Sequence, residues 1–148
     1  MALQIVTVTD SIAALVVPGL RILDMDIPPD ATRLTPCLFP EPLNFMTDFV
    51  MVRDSFGGGN SALMTVTYQL HYTFLFAPIG SGRTGLDLYS DMTAMVAAVF
   101  DAIMAIDTLT GAIDIQPLAA TEFGPVPDPA GNQYLGCRLA FQINEFVG

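Results

Sequence analysis

Residues 63–76 read LMTVTYQLHYTFLF, and this stretch decides the fold class. Met64, Val66, Tyr68, Leu70, Tyr72, Phe74 and Phe76 fall on one side, while Thr65, Thr67, Gln69, His71 and Thr73 fall on the other. A period of two held this long marks a β-strand with one face in a core and one polar face. At about 3.3 Å per residue the segment exceeds ~40 Å, which is long for a globular strand. Residues 44–53 read as a second strand, with 54–61 (DSFGGGNS) as a flexible loop between the two. The expectation is a long β-hairpin, an arm able to reach beyond its own domain.

Outward from the hairpin, residues 77–85 read as a turn and 88–109 as a long helix. Met92, Val96, Val99, Ile103 and Ile106 recur there at spacings of 4, 3, 4 and 3, the stripe of a helix packed on one side. Asp87 or Ser90 suits its start, and Gly111 follows its end. Residues 112–116 and 121–126 read as short strands, and 127–132 (PDPAGN) as turn chemistry. In 134–146, Leu135, Cys137, Leu139, Phe141 and Ile143 alternate with Tyr134, Arg138, Gln142 and Asn144, a last strand. On the N-terminal side, Ile5, Val8, Ile12, Leu15 and Val16 share one helical face over 3–17, and Pro18-Gly19 stops that helix. A short strand at 20–23 follows. Pro28, Pro29, Pro36, Pro40 and Pro42 then limit the chain to an edge strand around 34–39. The order helix, strands, helix, strands predicts an α+β fold: a mostly antiparallel sheet with a long β-hairpin and two helices packed on one face. With no internal repeat and no linker, residues 1–148 are expected to form a single domain.

The composition narrows the function. Of 148 residues, 52% are apolar and only 14% charged, against about 25% charged in ordinary soluble domains. That excludes disorder. Residues 92–106, the longest apolar candidate, are too short for a membrane span and contain Asp101. No basic-then-apolar start suggests a secretory signal, and neither end fits a lipid anchor. A chain this apolar is expected to hide surface against other chains, as an obligate oligomer or assembly subunit. Its formal net charge is −10 with no lysine; the basic residues are Arg21, Arg33, Arg53, Arg83 and Arg138. Five scattered arginines cannot build the basic face that tight nucleic-acid binding needs, nor one for anionic membranes. The acidity serves solubility, or, added up around a ring, a lumen through which DNA slides without sticking. Cys37 and Cys137 lie far apart with no CxxC, and read as buried thiols in a reducing compartment.

Catalytic chemistry finds little footing. His71 is the only histidine; it sits mid-strand on the polar face and reads as a strand residue rather than a general base. One histidine and two distant cysteines exclude a histidine-based metal cluster. Asp24 and Asp26 can share a strand face, but Pro28-Pro29 follows and no phosphate loop accompanies them. Gly57-Gly58-Gly59 lacks the lysine of a Walker motif. Gly80, Gly82 and Gly85 spell GxGxxG in GSGRTG, between strand and helix. The preceding strand alternates, however, and Pro78 intervenes. No acid ends a parallel strand about 20 residues on, so a plain strand-to-helix turn is the simpler reading. Asp91, Asp101 and Asp107 have no basic residue at i±4 and read as a solvated helix face. The methionines read as core or interface filler. The residues favour assembly over catalysis.

In pattern and element order the chain resembles the tail terminator (tail completion) proteins of long-tailed phages. The resemblance rests on MALQIVTVTDSIAALVV, LFPEPLNF, TVTYQLHYTFLFAPIGSGRTG, the long helix and the closing LGCRLAFQINEF. It implies a homo-hexameric ring on the head-proximal end of the tail tube, which stops tube polymerisation and offers a docking surface to the head–tail connector or neck protein. It implies neither catalysis nor a cofactor. Genomic DNA only passes through the lumen, and no membrane is involved. The protein would sit in the virion after assembly in the host cytoplasm. The local reading adds Arg53, Arg83 and Arg138 as candidates for subunit–subunit charge pairs, because arginine is enriched at interfaces. Ser55, Phe56, Gly57, Gly58, Gly59 and Asn60 are candidates for a loop that orders on the tube or connector; the alternative is a long hairpin turn. The rivals are a neck or head-completion protein and, in a different class, a small-ligand-binding domain using the Gly80–Gly85 turn.

Overall fold

In the computed structural model, residues 3–24, 35–42, 49–53, 64–79, 85–106, 113–127 and 131–147 are described. The alternating segment forms β4 (Met64–Pro78). Its partner is β6 (Gln133–Val147), antiparallel from Met64↔Val147 to Pro78↔Tyr134 with one slip between Leu75 and Ala77. β4 is therefore an interior strand paired along its length, not a projecting arm. The expected hairpin is present, but only β3 (Phe49–Arg53) pairs with the first residues of β4, from Phe49↔Tyr68 to Arg53↔Met64.

β2 (Cys37–Pro40) lies on the same side of β4 further along, opposite residues 72–75. The two-residue β1 (Arg21–Ile22) joins β2 in the one parallel pairing. On the other flank of β6 runs β5 (Ile113–Pro127). The sheet has six strands in the order β1-β2-β4-β6-β5, with β3 also on β4. The fold is α+β, as predicted.

Where two short strands were expected after the second helix, β5 is continuous. Register shifts between Pro117 and Ala119 and between Thr121 and Gly124 carry it past its irregular residues. Proline costs a ladder hydrogen bond only where a neighbour needs one; on an outer strand it is tolerated.

α1 spans Ile5–Ala13, shorter than the expected 3–17. The residue before a proline is pushed out of helical geometry, so Val17 must be extended and the helix ends before it. Leu15–Val17 then alternate: Val17 is buried and Val16 is 89% exposed. The expected inward role of Val16 thus passes to Val17. α2 spans Gly85–Met104 with Asp87 in its first turn, where a carboxylate suits the helix dipole.

Both helices cover one face of the sheet. Val8 and Ile12 of α1, and Leu88, Met92, Val96, Val99 and Ile103 of α2, share one cluster with the inward residues of β4 and β6. Tyr72 and Phe100 both set their rings edge-on to Phe141, at 5.4 and 6.4 Å. Each large apolar side chain buried here contributes roughly 1.5–3 kcal/mol relative to exposure. A smaller cluster joins Cys37, Leu75 and Tyr134, with Phe39 and Val126 against it.

Candidate functional site on the open face of the sheet

Alternation that sends one set of side chains into the core sends the other to the opposite face, which neither described helix covers. Rows across the strands there read Val52–Thr65–Phe146, Val50–Thr67–Asn144–Asp114, Gln69–Gln142–Gln116 and Thr73–Arg138–Thr121. Hydroxyls and amides dominate. Thr67 Oγ1 donates to Asn144 Oδ1 at 2.8 Å, and Gln116 Nε2 donates to Asp114 Oδ2 at 3.2 Å. His71 takes the place predicted for it, half-buried opposite Ala140 on this face.

Charge is concentrated at one point. Arg138 Nε donates to Glu41 Oε2 at 2.7 Å, and Thr73 Oγ1 reaches Glu41 Oε1 at 3.4 Å. Glu41 is held by its own backbone, which donates to the His71 carbonyl at 2.8 Å. Both charged side chains are partly exposed, so the pair contributes up to about 1 kcal/mol. Beside it opens a cleft of about 270 Å³ lined by Glu41, Thr73, Glu122, Pro125, Val126 and Arg138. Glu122 holds a left-handed backbone, φ 56°, at the second slip of β5. Among the described residues Asp10, Asp87, Asp91 and Asp101 are exposed on α1 and α2.

Of the candidates read from the sequence, Arg138 lies on the open face with its charge matched by Glu41 of its own chain. Arg53 ends β3. Arg83, Ser55, Phe56, Gly57, Gly58, Gly59 and Asn60 lie outside the described residues, as do Gly80 and Gly82 of the glycine turn. Of the three arginines, the two described ones stand at separate places on the sheet, Arg53 opposite Met64 and Arg138 opposite Thr73. Sequence reading missed Glu41, 97 positions from Arg138, and no local signal marks it. It also missed Glu145, a charged residue buried in the core, for which the inward phase of 135–143 was a usable signal.

Glu145 and Tyr68 are the polar anchor beneath this face. Tyr68 Oη donates to Glu145 Oε2 at 2.6 Å. Burial raises the Tyr68 phenol pKa, and the adjacent carboxylate raises it further through the hydrogen bond and its charge. Tyr72 is raised by burial and then by the charge of Asp24.

Cys37 and Cys137 are buried free thiols, pushed up by burial to about 11 and about 12. Such thiols are inert. At pH 8 a thiol reagent such as DTNB is expected to label neither in the native protein and both after denaturation; fast native labelling would contradict their burial. The pH dependence follows in sign. An unfolded thiol ionises near 8.5. As pH rises from there towards 11–12, the unfolded state sheds protons that the folded state keeps, so stability falls. It is retained in full below that window.

Among the described residues no group of three or more His, Cys, Asp or Glu stands where it could hold a metal ion. No described helix is long and apolar enough to cross a membrane. No protein-family model matches the chain, and no curated protein matches it significantly.

Proposed function

We propose that the chain is a structural phage tail terminator. Copies close into a homo-hexameric ring on the head-proximal end of the tail tube, stop its polymerisation and present a docking surface to the head–tail connector or neck protein. The protein works by contact, with no catalysis and no cofactor, and DNA passes through the lumen without being read. Its place is the virion, reached from the host cytoplasm during assembly.

One observation carries this reading. In a chain poor in charge, large apolar side chains stand out of the helix layer: Val16, Leu86 at 85% and Met104 at 70% exposure. Exposed apolar surface of that kind marks an interaction site, and a ring of identical copies is a closed way to cover it. The α+β element order agrees with the resemblance, and the polar open face gives each copy a second, chemically different surface.

The test is mass and shape. Light scattering and negative-stain imaging of the purified protein should give rings near six copies with a hole wide enough for duplex DNA, or a smaller oligomer that rings on tail tube and halts tube growth. A protein that stays monomeric with tube and leaves its growth unchanged overturns the reading. Rings that bind the connector but never arrest the tube indicate the neck or head-completion rival. A monomer whose melting temperature rises with a nucleotide indicates the ligand-binding rival.

A further inference from the structure

The cleft beside the Glu41–Arg138 pair is left with an unmatched charge. Two carboxylates, Glu41 and Glu122, and one guanidinium, Arg138, line it. Arg138 donates its Nε to Glu41. Among the described residues no cation meets Glu122, and no acceptor meets the two Nη groups of Arg138. The backbone alone does not call for a glutamate at 122. Its φ of 56° is a conformation that suits glycine, asparagine or aspartate better. Such an outlier is a pointer to function when it falls at a cleft. The slip between Thr121 and Gly124 takes Glu122 and Phe123 out of the β5–β6 ladder, and a bulge of this kind re-aims a side chain. Pro125 and Val126 add an apolar wall. The volume, about 270 Å³, lies below the ~300–1,000 Å³ of pockets that bury whole small ligands. It suits a single side chain.

We propose that this cleft receives one basic side chain, arginine or lysine, presented by a protein other than this chain. The cation meets Glu122 and Glu41. Its stem lies along Pro125 and Val126, as long basic side chains lie on apolar surface. A backbone carbonyl of the same partner accepts from the Arg138 Nη groups, which a free amine would leave unmet. Charge also selects the partner. With a formal net charge of −10, five arginines and no lysine, two copies of this chain repel at long range, whereas a basic segment of another protein is drawn in. One exposed charge pair is weak, so the contact fixes register and partner choice while other surface supplies affinity. The site is complete on one copy and stands whether or not copies close into a ring.

Saturation-transfer NMR on the full chain, in whatever oligomer it forms, tests the site. The probe is N-acetyl-arginine methylamide, and the control is its uncharged isostere, N-acetyl-citrulline methylamide. At low salt the arginine probe should bind saturably and about tenfold more tightly than the citrulline probe, and the difference should shrink as salt is added. Glu122→Gln keeps the shape and removes the charge. It should weaken the arginine probe about fivefold with a melting temperature within about 2 °C of wild type. Asp101→Asn, which removes an exposed acid from α2, should leave binding unchanged. Equal binding of the two probes, no saturable binding, or an Asp101→Asn protein that loses as much as Glu122→Gln overturns the proposal. So does a Glu122→Gln protein that sediments as a smaller oligomer than wild type, since that outcome assigns the cleft to a second copy of this chain.

Discussion

Glu145→Ala is expected to remove about 3 kcal/mol of stability, which for a chain of this size lowers the melting temperature by roughly 10 °C. Glu145 is 2% exposed and lies in the row with Val66 and Ile113. A carboxylate among such neighbours persists only if its oxygens are satisfied. One accepts the Tyr68 hydroxyl at 2.6 Å and the other the Gln4 backbone N–H at 2.9 Å. Gln4 is the N-cap of α1 and offers no side-chain cap of its own. The carboxylate thus takes up a donor at the helix start and places negative charge at the positive end of the dipole.

Alanine removes the acceptor used by both donors. Glu145→Gln keeps one oxygen but brings an amide that needs acceptors, so a loss of about 1–2 kcal/mol is expected. Urea unfolding gives the totals. Hydrogen exchange should localise the damage, with the amides of Val8 and Ile12 losing protection before those of α2. A Glu145→Ala protein within 0.5 kcal/mol of wild type would show that the buried carboxylate is not what fastens α1 to the sheet.

The same residue shows what could be read from the sequence. Alternation identified β4 and β6 and their buried sides, because a half-covered strand repeats its polarity every two residues. The spacing of 92, 96, 99 and 103 identified α2 for the equivalent helical reason. Alternation reports faces, however, and not neighbours. That β4 is interior depends on β6, about seventy positions later, so the arm was expected where a central strand lies. The expected gap between 116 and 121 contains Pro117, whose effect depends on whether an adjacent strand needs its missing N–H, which is a tertiary fact. Glu145 continues the inward phase of β6, yet a carboxylate enters a core only if distant donors meet it; one comes from residue 4 and the other from residue 68. The Glu41–Arg138 pair was hidden likewise, since charge pairing across a sheet leaves no trace in local spacing.

Gly136→Ala is the second large effect expected, and its cause is space rather than backbone handedness. Gly136 stands opposite Leu75 on one side and Gly124 on the other, next to the points where both ladders slip. A Cβ built on it collides with the carbonyl oxygen of Phe74 and lies 3.3 Å from Val126 Cγ2. A side-chain tip could swing away, but a carbonyl of the central strand cannot move without parting β4 from β6. The expected cost is about 3 kcal/mol, at the upper end for an overpacked site. Gly131→Ala is the control. Gly131 has φ 88° and open space around its Cβ position, so alanine there costs only conformational strain, about 1 kcal/mol. Cys137, the next residue, is a local reporter: in the Gly136→Ala protein its thiol should react with DTNB well below the global unfolding transition, because parting the strands at this point uncovers it. If Gly136→Ala proves no less stable than Gly131→Ala and keeps Cys137 silent, the close approach of β4 and β6 at this slip is not the constraint that reserves the position for glycine.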